Sequence, residues 1–334
     1  MLKNNKHIET FLFLKKITFS KIINHLLLRL SFLLSVVTKR IVIFGKPESL
    51  SVEPTNKCNL NCIECPTGTG DLTRKTGKMD FHTFKNIIDK TYKHLSYLIL
   101  YFQGEPFLNS QLYDMISYAG KKNIFTYTST NGHFLTPENC KKIVESKLDK
   151  ITISLDGTNQ ETYQIYRKNG DFNKVTAGIK NLVEVKKQLN SIRPFIELQF
   201  LVFKHNQNQI SEIKLLAKQL GVNKLSLKTA QFYNKENIKY LTDIEKFARY
   251  KVQNNKLMLK KKPKNRCWRM WHSSVVSING DIAPCCFDKD TKYTFGNTKD
   301  VNISNIRKTS TYKYFAKKIL LNRKSIDICN NCNN

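Results

Sequence analysis

Glu53-Pro-Thr-Asn-Lys-Cys58-Asn-Leu-Asn-Cys62-Ile-Glu-Cys65-Pro66 places three cysteines within eight residues, directly after a short strand-like run. Thiolates this close together, on a loop too short to hold a helix, can converge on one centre. Three ligands are one short of a closed tetrahedral site, so the metal they hold keeps an open position, and an open position is where chemistry happens. The spacing suits a [4Fe–4S] cluster with one iron left free. The plainer alternative is half of a structural zinc site.

Outward from that loop, composition narrows the class. The chain has 334 residues, enough for one large domain or two smaller ones, and 56 Lys and Arg against 26 Asp and Glu give it a net charge of +30. Such an excess suits nucleic acid, anionic membrane surfaces or acidic substrates. The lysines are scattered among abundant Asn and Ile rather than gathered in one tail, so the charge reads as a composition bias and does not by itself make a nucleic-acid protein. Nine cysteines are too few for a disulfide scaffold of this length, and their clustering points to metal. Bound thiolates need a reducing compartment, so the cytoplasm is expected.

Residues 1–47 read as an N-terminal helical extension. The run 22–37 is apolar but holds Asn24, His25 and Arg29, with Lys39 and Arg40 just after it. A membrane span needs ~20 predominantly apolar residues, and no small-residue cleavage site follows Val37. Two readings remain: a helix docked on the body of the protein, or a basic amphipathic helix in peripheral contact with a membrane. Docking is the favoured one, because the segment runs straight into a loop that must stay in the cytosol.

Six strand segments recur at 49–53, 97–102, 124–129, 150–156, 196–202 and 224–228, with amphipathic helical runs at 81–94, 111–122, 137–146, 173–189 and 208–220. Strand then helix, repeated with short turns, calls for parallel strands joined by right-handed crossovers. Within the strands apolar and polar residues alternate: Ile151, Ile153 and Leu155 share one face, and Thr152, Ser154 and Asp156 the other. A parallel strand buried on both faces reads as a continuous apolar run instead. The alternation predicts helices on one face and a polar lumen, lined by Glu197, Gln199, Ser226 and Lys228, on the other. The expected fold class is α/β: an open six-stranded (β/α)6 TIM-like partial barrel over residues 48–233.

Functional groups in such a barrel sit at the C-terminal ends of strands. After the first strand comes the cysteine loop, after the second Gln103-Gly104-Glu105-Pro106, after the third Ser129-Thr-Asn131-Gly132, and after the fourth Ser154-Leu-Asp156-Gly157. In this order the motifs resemble those of the radical S-adenosylmethionine (radical SAM) enzymes. The resemblance implies that Cys58, Cys62 and Cys65 hold a [4Fe–4S] cluster. It also implies that Gly104 and Glu105 receive the methionine ammonium group of S-adenosylmethionine. Ser154 and Arg167 would bind its ribose and carboxylate, the arginine fork matching two carboxylate oxygens, with Asn131 near the same ligand. Gln103 stands where the family's element begins with glycine. Glu64 stands where an apolar or aromatic residue commonly packs on adenine, which leaves the adenine contact open.

Residues 234–265 are polar and Lys-rich and read as a linker with one helix. Residues 266–334 hold Cys267, the run 275–286 with an Asn279-Gly280 turn ending in Cys285 and Cys286, and a closing Cys329-Asn-Asn-Cys332. This resembles the SPASM-type extension of radical SAM enzymes, a small cysteine-rich hairpin domain. The fuller version carries seven cysteines for two clusters, so one auxiliary [4Fe–4S] cluster on Cys267, Cys285, Cys329 and Cys332 is expected, with a four-cysteine zinc site as the alternative. Cys140, on an apolar helical face, reads as a buried, inert thiol. Cys286 reads as a spare, an alternative ligand, or a catalytic hydrogen-atom donor to a substrate radical.

By that resemblance, the reduced cluster donates one electron to S-adenosylmethionine, and the resulting 5′-deoxyadenosyl radical abstracts hydrogen from the substrate. An electron donor such as a flavodoxin or ferredoxin is implied. The substrate reads as a saccharide or other small polar metabolite, undergoing oxidation or epimerisation. A peptide- or protein-modifying maturase is the alternative, and a non-catalytic metal-binding module that binds nucleic acid is the rival from a different class.

Overall fold

The computed structural model describes residues 6–253, 256–261 and 263–332. The alternating segments form strands β1 (Ser49–Val52), β2 (Tyr97–Ile99), β3 (Phe125–Thr130), β4 (Lys150–Ser154), β5 (Phe195–Val202) and β6 (Lys224–Thr229). Helices precede and join them: α1 (Lys6–Leu14), α2 (Phe19–Thr38), the single turn α3 (Pro66–Thr69), α4 (Phe81–Thr91), α5 (Leu112–Lys121), α6 (Pro137–Glu145), α7 (Gln160–Tyr166), α8 (Phe172–Gln188) and α9 (Ile210–Gln219). Helix starts follow capping chemistry, with Asp80, Thr136, Asn159 and Asp171 each accepting a backbone N–H of the first turn. Later come β7 (Tyr250–Gln253), β8 (Lys256–Leu259), α10 (Trp268–His272), β9 (Ser273–Val276), β10 (Ile282–Ala283) and α11 (Ser310–Asn322).

Eight strands form one sheet in the order β10-β9-β1-β2-β3-β4-β5-β6; β9, β1 and β2 run parallel, as do β3 to β6, and β10 is antiparallel to β9. The fold is thus α/β with the expected six parallel strands, and two differences from the sequence reading stand out. First, the C-terminal hairpin adds to the sheet: β9 pairs in parallel with β1, Ser49 opposite Ser273 and Val52 opposite Val276. An open barrel leaves β1 with an unpaired edge, and β9 satisfies it. Second, β2 ends at Ile99, short of Phe102; just beyond it the Ser51 hydroxyl donates to the carbonyl of Tyr101.

The chain forms two compact units, one of Met1–Leu12, Cys58–Asp71 and Tyr127–Lys261, the other of Phe13–Lys57, Leu72–Thr126 and Lys262–Asn334. In the first, the apolar strand faces (Ile151, Ile153, Leu198, Phe200) are buried, as are Val175, Ile179 and Leu182 of α8. The segment expected to be a linker with one helix instead holds a 3-10 turn over Lys235–Tyr240 and the antiparallel hairpin β7–β8, Tyr250 opposite Leu259. Its apolar side packs into a cluster with Leu60, Tyr166, Phe203 and Phe232, which gives those residues a structural purpose that a solvated linker lacks. In the second unit Leu50, Val52, Leu98 and Leu100 are buried, together with Phe84, Ile87 and Ile88 of α4 and Met115 and Ile116 of α5.

His94, in the second unit, is buried between Pro47 and Ser304. Its Nδ1 lies 2.7 Å from the Pro47 carbonyl and its Nε2 2.9 Å from Ser304 Oγ. A carbonyl only accepts, so Nδ1 carries the proton of a neutral ring. Burial lowers its pKa to about 4, against about 6.5 in an unfolded chain. Between those values the unfolded chain binds a proton that the native state does not, so stability is level above about pH 6.5 and falls as pH drops towards 4. At pH 5 the loss from this imidazole is about 2 kcal/mol. Urea unfolding midpoints at pH 7 and pH 5 should show the drop, and His94→Gln should shrink it.

Candidate functional site

In the first unit the three-cysteine loop has almost no regular structure, so its backbone is held from outside. Asn61 N–H donates to Lys168 O at 3.1 Å and Ile63 N–H to Tyr166 O at 3.4 Å. Asn169 Nδ2 donates to Asn61 Oδ1 at 2.7 Å, and Asn61 Nδ2 to Gly68 O at 3.1 Å. Pro66 starts α3, and Gly68 lies so close to the loop that a Cβ there would sit 2.6 Å from the nitrogen of Cys62. Leu60 and Cys62 belong to the aromatic cluster around Phe203 and Tyr166, with Cys58 and Cys65 packed against it. Cys62 is buried, and Cys58 and Cys65 are half-buried.

Several predicted S-adenosylmethionine contacts surround the same sulfurs. Arg167, just past the end of α7, donates through Nε to Asp156 Oδ2 at 2.7 Å and points a second nitrogen at Cys62 Sγ, 3.8 Å away. Asn131 Nδ2 lies 3.9 Å from Cys58 Sγ and donates to Asn59 Oδ1 at 2.8 Å. Ser154, at the end of β4, is buried beside Asp156 in the chain. Burial pushes the Cys62 thiol up, and the Arg167 charge works against that shift. Burial also opposes the charge on Arg167 itself, but Asp156 and Cys62 outweigh it and keep the guanidinium protonated. Arg167 is therefore anchored to a carboxylate of the protein, with its remaining N–H groups left for another anion.

Glu64 makes a contact that sequence reasoning missed. Its carboxylate accepts from Tyr233 N–H at 2.7 Å and from Asn237 Nδ2 at 2.6 Å, tying the loop to the segment after β6. The polar strand face also differs from expectation. Glu197 pairs with Lys150 at 2.6 Å and Lys224 at 3.4 Å and accepts from Ser226, while Lys150 also reaches Glu9 at 2.7 Å. Glu197 and Ser226 are thus engaged with the protein's own groups; Gln199 is half-buried and Lys228 exposed.

In the second unit, Gly104 has φ +74°, and a Cβ there would sit 2.6 Å from the carbonyl oxygens of both Thr55 and Lys57. The next residue, Glu105, donates its N–H to Lys57 O at 2.7 Å and is buried, with Phe107 N–H bonded to its carboxylate at 3.3 Å. The element predicted to receive an ammonium group is therefore clamped to the residue immediately before Cys58. Glu53 has a separate role: its buried carboxylate takes a two-pronged bond from Arg74 (2.7 and 2.8 Å) and a third from Ile278 N–H at 3.1 Å.

Cys267, Cys285, Cys329 and Cys332 line one small cavity with Met270, Phe287, Phe315, Ile319 and Arg323. Arg323 donates to Cys332 Sγ at 3.1 Å. Cys286 borders a larger cavity of about 810 Å³, where Arg269 donates to its Sγ at 2.9 Å. Burial raises the Cys267, Cys285 and Cys329 thiols. Cys140, on α6 and facing Gly178 of α8, is fully buried, and burial alone pushes its thiol up to about 12. Among the described residues no three His, Cys, Asp or Glu side chains close on one point fit for a single ion. With soft thiolates as donors and N–H groups aimed at the sulfurs, both cysteine sets fit iron–sulfur clusters.

Residues 52–196 match the family model described as the radical SAM superfamily, and residues 267–333 match an iron–sulfur cluster-binding domain, SPASM. Among curated proteins, the tungsten-containing aldehyde ferredoxin oxidoreductase cofactor-modifying protein of Pyrococcus furiosus is 25% identical over 295 residues, covering 80% of this chain and 82% of that one. The chain spans about half or less of the next relatives it matches, 50% and 43% of their lengths. Among solved structures, BtrN in complex with AdoMet and 2-DOIA superposes with a TM-score of 0.55 at 17% identity, covering 87% of this chain and 95% of BtrN. Streptococcus suis SuiB bound to precursor peptide SuiA superposes with a TM-score of 0.63 at 14% identity, covering 87% of this chain and 72% of SuiB. At those identities the structures speak to the fold.

Two outcomes test this geometry. Replacing Arg167 with Leu strands the buried Asp156 carboxylate and should destabilise the protein by about 3 kcal/mol or more in urea unfolding. Because burial holds the Cys62, Cys267, Cys285 and Cys329 thiols protonated, loading iron and sulfide should release protons, and retention of iron against a chelator should strengthen as pH rises from about 6 to about 9.

Proposed function

The chain is a radical SAM protein with a C-terminal SPASM domain, and on that premise we propose that it is an enzyme that cleaves S-adenosylmethionine reductively and abstracts hydrogen from a small polar metabolite or saccharide, oxidising or epimerising it. The observation that carries this reading is the Cys58–Cys62–Cys65 loop, backed by Arg167, Asp156 and Asn131. A [4Fe–4S] cluster on those thiolates supplies the one-electron reduction that breaks the carbon–sulfur bond of S-adenosylmethionine. The residues of this chain bind and orient. The Glu105 carboxylate receives the ammonium group, while Arg167, held by Asp156, presents its free N–H groups to the carboxylate. Ser154 and Asn131 hold the ribose side. N–H donors on Cys58 and Cys62 favour the reduced, more negative state of whatever metal the sulfurs carry.

Cys267, Cys285, Cys329 and Cys332 are the proposed ligands of a single auxiliary cluster, which would supply a one-electron acceptor where the reaction is an oxidation. A one-electron donor of the flavodoxin or ferredoxin kind completes the cycle, inside the cell where thiolates stay reduced. The cavity beside Cys286 has the volume of a small-molecule site. Arg269, Lys289 and Ser51 line it and supply polar anchors, and Cys286 is proposed to act there on the substrate radical. The cofactor-modifying activity named for the Pyrococcus furiosus relative also favours a small substrate. A peptide-modifying maturase is the second reading, favoured by the likeness to SuiB, whose structure holds a precursor peptide.

Anaerobically purified protein should carry about eight iron atoms per chain, two cubane clusters, and form 5′-deoxyadenosine when reduced with S-adenosylmethionine. Cys58→Ala should abolish that product while the C-terminal iron remains. About four iron atoms would remove the auxiliary cluster and leave the C-terminal cysteines to zinc, whereas no 5′-deoxyadenosine would refute the scheme and favour a binding module. Cys286→Ala should leave 5′-deoxyadenosine formation intact and stall conversion of the substrate; unchanged conversion removes Cys286 from the chemistry.

A further inference from the structure

Helix α2 is seated the wrong way round for a soluble protein. Four of its polar residues face inward: Lys21, Asn24, Ser31 and Ser35 are buried, Ser31 and Ser35 completely, while Arg29 is exposed and lies over the Trp268 ring. Asn24 exchanges two hydrogen bonds with the backbone of Lys46, at 2.9 and 2.7 Å. The Ser31 hydroxyl donates to Val42 O, Ser35 Oγ accepts from Val42 N–H at 3.0 Å, Arg307 donates to Ser31 Oγ at 3.1 Å, and Lys21 donates to Asn123 O. The outward face is apolar at helical spacing. Phe19 and Val37 are each 77% exposed, Leu26 61% and Leu33 58%, with Ile22, Ile23, Leu30 and Leu34 between them. A stripe of that kind normally faces a core. Exposed apolar surface this continuous marks an interaction site.

We infer that this face docks on an anionic membrane surface, α2 lying in the interface rather than crossing it. The helix is long and apolar enough to span a bilayer. Spanning, however, would tear Asn24, Ser31, Ser35 and Lys21 from the backbone groups they satisfy, leaving those buried partners unpaired. Lying flat keeps every bond and buries only the exposed side. Charge selects the partner. Exposed Lys15, Lys39 and Arg40 flank the helix, and the chain carries +30 overall. A second copy would bring the same charge into contact with it, whereas an anionic leaflet attracts each basic residue near it. Continuity adds a consequence: Leu14 and Ile22 also line the 810 Å³ cavity with Phe13, Ile17, Tyr97 and Cys286. Docking therefore brings the rim of that cavity to the lipid surface.

The test is co-sedimentation of the full chain with vesicles. Wild type should bind mixed phosphatidylcholine–phosphatidylglycerol vesicles, and weaken on neutral phosphatidylcholine vesicles and in high salt. Leu26→Glu, Leu30→Glu and Leu33→Glu together should lower binding about tenfold or more. These side chains point to solvent, so an unchanged circular dichroism spectrum and melting point should accompany the loss. Lys39→Gln with Arg40→Gln offers a second, milder variant that should reduce the salt dependence. Wild type left in the supernatant, equal binding to neutral vesicles, or undiminished binding by the triple variant overturns the proposal. So does sedimentation equilibrium showing a dimer that the triple variant splits, which would make a second copy the occupant. None of these readings depends on catalysis, so the proposed chemistry and this docking can fail separately.

Discussion

A carboxylate with no access to water must be paired, and Asp156 is such a carboxylate. It lies at the end of β4 with no exposure at all, accepts from Arg167 Nε and from Leu201 N–H at 2.7 Å each, and its backbone carbonyl takes Asn206 Nδ2 at 3.0 Å. Desolvating such a charge without partners is prohibitive, so the positions of Arg167 and of the β5 terminus follow from it. Once Arg167 is fixed, so is the C-terminal end of α7, because the two are adjacent in the chain. That end supplies the carbonyls of Tyr166 and Lys168 which hold the cysteine loop. A loop with no ladder of its own thus acquires a defined shape from an ion pair on a neighbouring strand end, and Cys62 is delivered next to the guanidinium that anchors it.

The second cysteine set repeats the electrostatic pattern with different residues. Arg323 is almost wholly buried, donates to Cys332, and also caps the backbone carbonyl of Arg266 at 2.8 Å, next to Cys267. A buried cation beside buried thiols is costly on either side alone. Together, and above all once metal binding makes the sulfurs anionic, each compensates the other. Arg74 does the equivalent for Glu53, whose third contact reaches the hairpin turn at Ile278. In each case an arginine presents several N–H groups in a rigid planar fork, a fixed geometry that the rotating ammonium of lysine does not offer.

These arrangements explain which parts of the protein could be read from the sequence. Strand positions and the order of motifs at their ends were legible, because alternation and cysteine spacing are local signals. The hairpin after residue 250 was not: Tyr250, Leu257 and Leu259 are few, set among lysines, and their packing in the cluster of Phe232 and Leu60 is not a local signal. The parallel joining of β9 to β1 depends on an edge left open two hundred residues earlier, which no local pattern announces. Glu64 broke the expected chemistry of its position, and that departure was the available signal that it had a structural task. Arg269 and Arg323 carried no signal at all, being two basic residues in a chain full of them. The polar strand face was read correctly as polar and wrongly as free, since alternation reports burial and says nothing of who pairs with Glu197.

The N-terminal helix shows how two sequence readings can be set against each other needlessly. Asn24 in an apolar run, with basic residues after it, counted against a spanning helix, and docking on the protein was weighed against lying on a membrane as if one excluded the other. A helix has two sides. Asn24, Ser31 and Ser35 recur at intervals of seven and four and so fall on one stripe, opposite Leu26, Leu30, Leu33 and Val37. Hydrogen bonds to Lys46 and Val42 use the polar stripe to dock the helix, and that same docking forces the apolar stripe outward. The hydrophobic effect opposes leaving such a face in water. A fold that nonetheless spends its polar residues on holding the face outward has given up a cheaper orientation, the inverted one, in which leucines would meet the body and serines would meet solvent.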